Sequence, residues 1–202
     1  MPSAAAPLAG HAAGDGEMLG TAPLTRRLES RSLTHGIGVA GLLLASAAGV
    51  AASHPLGDRV VAYCQAHLGQ KVGNGECAGL AFQALKSAGA ATRGGPDHPG
   101  RGDYVWGRQV LLVEASPGGP RLTGTFSEIQ PGDIMQYRDA KFVKMHASHH
   151  TAVVREVDPT TGLVRAFAQN AGGRRFVVEV DVPLARLTQG WIRVYRPIPR
   201  PR

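Results

Sequence analysis

Apolar positions change their period once along this chain. From Asp58 to His67, Val60, Cys64 and Leu68 fall on one helical face, and from Cys77 to Ala90, Leu80, Ala81, Ala84, Leu85 and Ala88 recur at helical spacing. Gly89 stands where a C-terminal cap belongs. From His150 onward the pattern is that of strands: Thr151 to Val157, Leu163 to Asn170, Phe176 to Val182 and Trp191 to Tyr195 are rich in β-branched and aromatic residues. The turns between them are marked by Asp158-Pro159-Thr160-Thr161-Gly162, Ala171-Gly172-Gly173 and Gln189-Gly190. Between the two regimes lie a polar Gly/Pro loop from Ala91 to Asp103, a short candidate strand from Gln109 to Val113, and Pro131-Gly132, which suits the centre of a type II turn feeding a strand from Asp133. The order of two helices and then an antiparallel meander predicts an α+β domain.

The pattern also divides the chain. Residues 1–53 hold Arg26, Arg27 and Arg31, then an apolar run from Val39 to Ala52, then small residues. That order is a secretory signal, with cleavage expected between Ala51 and Ser53 and translation starting at Met1 or Met18. The run falls short of the roughly 20 apolar residues of a membrane span, and the alternative is a leader beside a core helix. Residues 54–197 form the expected domain, and 198–202 a loose Pro/Arg tail.

At 202 residues and 43% hydrophobic content there is material for one core. The leader carries three basic and three acidic residues, so the net charge of +7 belongs to the rest. Such a surplus suits an anionic partner. With aromatics at 5% and no basic helix interleaved with them, nucleic acid is not expected.

The chemistry centres on Gly73-Asn74-Gly75-Glu76-Cys77. A cysteine opening a helix meets unpaired N–H groups and the positive end of the helix dipole, both of which favour the nucleophilic thiolate. The competing readings are a small core residue or a disulfide with Cys64. If the hairpin loop spans Asp158 to Gly162, Val157 faces Leu163 and His150 sits opposite Asn170, with their side chains on one face and Gln169 on the other. Cys77, His150 and Asn170 are then a thiol, its base and the group that orients the base. By the same register Asn170→Ala should cripple turnover and Gln169→Ala should cost much less. Tyr104-Val105-Trp106 either caps the core or walls a groove. His146, His149 and His150 could bind zinc, although His146 and His149 read more simply as a solvated loop. No metal or cofactor is expected.

Four segments in order carry a resemblance: Gly73 to Cys77, Pro131-Gly132-Asp133-Ile134, His150-Thr151-Ala152-Val153-Val154 and Gln169-Asn170. Together they resemble the papain-like amidohydrolases of the bacterial envelope, the CHAP group and the NlpC-type peptidases. The resemblance implies a papain-like fold with N-terminal helices packed on an antiparallel sheet. It also implies an exported thiol amidase or peptidase acting on peptidoglycan or a related envelope polymer. Within it, the Cys77 N–H is one oxyanion donor, and Gln70, Glu76, Trp106 and Gln169 are groove or oxyanion candidates. Ala168 stands where CHAP sequences often carry a glutamate. The alternative is an exported cell-wall binding module of the same fold that does not cut.

Overall fold

The computed structural model describes residues 54–92, 104–143 and 145–201. The leader of residues 1–53, with the signal and export expectations attached to it, lies outside them, as does most of the 91–103 loop. Among the described residues, no helix is long and apolar enough to cross a membrane.

Both helices form. Helix α1 runs Pro55–Ala66, starting earlier than the periodicity suggests because His54 Nδ1 accepts the Gly57 N–H (2.9 Å) and Pro55 occupies the first turn. Helix α2 runs Cys77–Ala88 and closes on Gly89 in the left-handed region (φ 76°). Cys64 and Cys77 are both free thiols, which overturns the disulfide reading. Cys64 is fully buried on α1, and burial pushes its thiol up to about 12.

The strands are β1 (Arg108–Glu114), β2 (Arg121–Thr123), β3 (Ile134–Phe142), β4 (Met145–Asp158), β5 (Leu163–Ala168), β6 (Val178–Pro183) and β7 (Gln189–Arg196). They make one antiparallel sheet in the order β2-β1-β7-β3-β4-β5-β6. The expected meander holds from β3 to β6. It fails at β7, which crosses back and inserts between β1 and β3. The expected loose tail is also paired: Ala91 N–H donates to Ile198 O (2.9 Å), and Arg200 N–H to Gly89 O (3.2 Å).

Alternation along the strands builds two cores. Ile134, Val153, Phe167 and Tyr195 face the helices and pack with Val60, Leu80, Ala81, Ala84 and Leu85. Met135, Tyr137, Ala152, Val154, Ala166 and Val194 face the other way, onto Ile129, Leu184 and Leu187. The two layers meet at the Pro131-Gly132 turn. Gly132 has φ 85°, as position i+2 of a type II turn requires, and a Cβ there would strike the backbone of Gly57 at the start of α1.

Beside that turn, Asp133 is fully buried and takes a two-pronged contact from Arg196, with Nε on Oδ1 (2.7 Å) and Nη2 on Oδ2 (3.0 Å). The Gln130 N–H adds a third donor to Oδ2 (2.9 Å). Removing one partner of a buried pair strands the other charge. Arg196→Ala should therefore cost about 3–5 kcal/mol in urea denaturation. A loss within a few tenths of a kcal/mol would show that the pair does not secure β7 to the turn.

Candidate active site

The loop before α2 turns on Gly73 (φ 56°) and Gly75 (φ 85°), which take conformations that other residues avoid. Local bonds shape it: Gly75 N–H donates to Val72 O (3.0 Å), and Glu76 N–H to Asn74 Oδ1 (3.1 Å). Glu76 is the N-cap residue of α2, and Cys77, half-buried, is the first helical residue.

The end of β5 grips this loop. Gln169 is fully buried; its Oε1 accepts the Val72 N–H (2.7 Å), and its Nε2 donates to Val72 O (2.9 Å) and Glu76 O (3.0 Å). The next residue, Asn170, donates from Nδ2 to Glu76 Oε2 (2.8 Å), while Arg175 Nη2 pairs with Glu76 Oε1 (2.8 Å). Gln169 is thus a clamp on the loop, not a groove or oxyanion group. Glu76 is engaged on both carboxylate oxygens.

Two more groove candidates are placed elsewhere. Trp106 is 1% exposed and donates from Nε1 to Gln136 Oε1 (3.1 Å), which also accepts from Thr151 Oγ1 (2.9 Å). It is a core residue under the site, as the simpler reading had it. Gln70 is exposed and its Nε2 folds back to Ala66 O (3.2 Å).

The hairpin returns to the expected register by an unexpected route, but its ladder stops short of the expected His150–Asn170 pair. The turn is one residue tighter than expected, with Asp158 facing Leu163, but Arg155 bulges. Beyond the bulge Val154 faces Ala166 and Ala152 faces Ala168. The ladder ends there; Asn170 takes φ 59°. His150 and Asn170 both line a cleft of about 260 Å³, with Tyr137, His146, His149 and Val182 among its other walls. Cys77 lies outside that lining. His150 pairs with Tyr137 across β3 and β4 and meets its ring edge-on at 5.5 Å. Tyr137 packs in the core away from the helices, so His150 stands on that face.

His146 and His149 belong to β4, not to a solvated loop, because β4 begins at Met145. His149 pairs with Arg138 and stacks at 6.4 Å on Tyr104, which packs with the helical core. It is therefore the imidazole on the α2 face of the sheet. The doubled His149-His150 was the signal for it, and alternation alone assigns one ring to each face. Among the described residues, no group of three or more His, Cys, Asp and Glu is placed to hold a metal ion.

Burial, and then the neighbouring His149, lower the His150 imidazole from 6.5 to about 4. It is neutral at pH 7, the form that can take a proton.

Residues 45–201 match the family described as the AIM3/BBC1 cysteine proteinase-fold domain. The chain is 31% identical over 163 residues to Altered inheritance of mitochondria protein 3 of Debaryomyces hansenii, covering 74% of this chain. It spans only 17% of that protein's length. Among solved structures, the crystal structure of Ly7917 overlaps 70% of this chain and 62% of its own, with TM-score 0.42 and 18% identity. Ly7917 with the hydrolyzing product of MDP gives TM-score 0.44 and 18% identity over 70% and 63%. These two likenesses are too distant to weigh.

What is shown is the α+β cysteine-proteinase fold; the match is not to the CHAP or NlpC groups specifically. The match to Altered inheritance of mitochondria protein 3, a eukaryotic protein, overturns the peptidoglycan amidase, the cell-wall binding module and the envelope-polymer partner. The cell-wall and peptidoglycan setting implied by those motifs falls with them, while the export expectation rests on residues 1–53, outside the described residues.

Two outcomes follow from the site's geometry. Gln169→Ala, which the register argument alone would make mild, leaves the buried Val72 N–H without a partner, while Val72 O keeps the Gly75 N–H and Glu76 O keeps the Gly79 N–H. It should lower stability by about 1–3 kcal/mol and speed hydrogen exchange at Val72. Unchanged exchange at Val72 would refute the clamp. The second outcome concerns acid. Between pH 6.5 and about 4 the unfolded His150 imidazole binds a proton that the folded one refuses. Its contribution is therefore full above pH 6.5 and lost as pH falls toward 4. In urea melts, His150→Gln should gain on the order of 1–2 kcal/mol on wild type between pH 7.5 and pH 5. An equal acid loss in both proteins would place the titrating group elsewhere.

Proposed function

We propose that this chain, which belongs to the AIM3/BBC1 cysteine proteinase-fold domain family, is a thiol hydrolase of amide bonds. Cys77 is the nucleophile, His150 its base and Asn170 the group that orients the imidazole. The observation that carries the reading is the double hold of Gln169 and Asn170 on Glu76. It brings the residue before Cys77 and the end of the strand pair bearing His150 to one end of the sheet.

In this reading the neutral His150 imidazole takes the Cys77 proton around the edge of β4 that β5 leaves unpaired beyond Ala168, and the sulfur attacks the amide carbon. The oxyanion takes the free N–H of Cys77 at the start of α2. The C–N bond then breaks, the amine leaves with the proton from the imidazolium, and water hydrolyses the thioester with His150 again as base.

One observation favours a second reading, a domain of the same fold that binds peptide without cutting it. Helix α2 packs on the sheet face opposite His150, and His149 is the imidazole on its own side.

A single experiment separates them. Wild type, Cys77→Ala, His150→Ala and His149→Ala are offered a peptide-amide library, and Cys77 alkylation by iodoacetamide is timed. The hydrolase reading expects cleavage that vanishes in Cys77→Ala and drops about 10²–10⁴-fold in His150→Ala. No cleavage, with Cys77 alkylated no faster than a simple thiol, would leave the binding reading standing. A crippled His149→Ala beside an active His150→Ala would move the base to the α2 face.

A further inference from the structure

We infer that Glu76 is a positioning residue for Asn170: its carboxylate takes the Asn170 amide N–H and so turns the Asn170 carbonyl oxygen toward the His150 cleft. The catalytic consequence rests on the hydrolase reading; the geometry does not.

A carboxamide is planar, with donor and acceptor on opposite arms, so fixing one arm aims the other. Asn170 Nδ2 lies 2.8 Å from Glu76 Oε2. A carboxylate can only accept, so an amide turned the other way would set two acceptors against each other. The chemistry of the partner therefore settles the direction of the amide. Glu76 is itself held at three points: Arg175 on Oε1 (2.8 Å), Gln169 on its carbonyl (3.0 Å), and its place as N-cap of α2, where the helix dipole favours negative charge. Asn170 needs such help. It stands past the end of the β5 ladder in the left-handed region, where strand pairing no longer sets its side chain. The oxygen arm is left facing the cleft that Asn170 lines together with His150.

Around His150 the other titratable groups are His146 and His149 on its own strand and Tyr137 from β3; Glu76 sits behind Asn170 with Arg175 on its far side. A negative charge placed on the oxygen arm of residue 170 would act on His150 from a side that carries none of these.

The test exchanges the two groups. In the double variant Glu76→Gln, Asn170→Asp, the introduced amide donates to the introduced carboxylate, whose second oxygen takes the place of the amide oxygen. The His150 imidazole, followed by NMR, should then titrate at least about one pH unit higher than in wild type. An unchanged His150 titration would mean that residue 170 does not face the imidazole, and the inference fails. If the exchanged protein does not fold, Glu76→Ala decides instead. The Asn170 side-chain amide should exchange its protons at least about tenfold faster than in wild type while that of Gln169 stays protected. Equal Asn170 exchange in the two proteins overturns the inference. Neither readout uses a substrate, so a wild type that hydrolyses nothing would sink the hydrolase reading and leave this one testable.

Discussion

The site depends on one buried side chain making the bonds that a strand would otherwise make. Gln169 offers Val72 an acceptor and a donor at once, the pair of contacts a neighbouring strand would give, and spends its second amide hydrogen on Glu76. Two glycines let the loop between those residues turn, its own bonds from Gly75 and Glu76 give it shape, and Gln169 fixes it to the sheet. Each of the three bonds is worth only about 1 kcal/mol net, but leaving a buried backbone group unpaired costs about 1–3 kcal/mol. That asymmetry lets a single amide hold the start of a helix. Everything proposed for Cys77 assumes that hold.

A second constraint works from the other end of the sheet. Asp133 follows the turn that touches α1, and Arg196 closes β7, so their buried contact ties the first helix to the strand that crosses back. The carboxylate is satisfied by a guanidinium fork and a backbone N–H, the condition under which a buried charge is tolerable. Neither constraint touches the cleft. Both are frame, and they leave the cleft to vary.

How much of this is legible in the sequence depends on the range of the interaction. The cap, body and end of α2 are local, and the residues from Glu76 to Gly89 spell them out. The pairing of β4 with β5 is nearly local and is recovered near the site despite a wrong turn. The insertion of β7 between β1 and β3 is not encoded by any nearby residue; it follows from which edge can bury Ile192 and Val194. His149 illustrates a different limit. Two adjacent histidines in a strand point to opposite faces, and sequence cannot say which face the helix covers until the helix is packed. The envelope reading failed for a further reason. The glycine loop, the Pro-Gly-Asp turn and the His-headed strand report how a scaffold is built, and a scaffold carries no address for the polymer it meets.

The Arg155 bulge separates two parts of the chain that would otherwise share one ruler. In an unbroken ladder, gaining or losing a residue at the 159–162 tip shifts every pair behind it and sends inward groups outward. Here one residue of slack already sits between the tip and the pairs that lead to His150 and Asn170. The tip is held by contacts of its own, the Leu184 N–H on Gly162 O and the Phe126 ring against Gly162. Ala152 and Ala168 are held on the other side of the bulge, so the two ends of one hairpin are positioned separately.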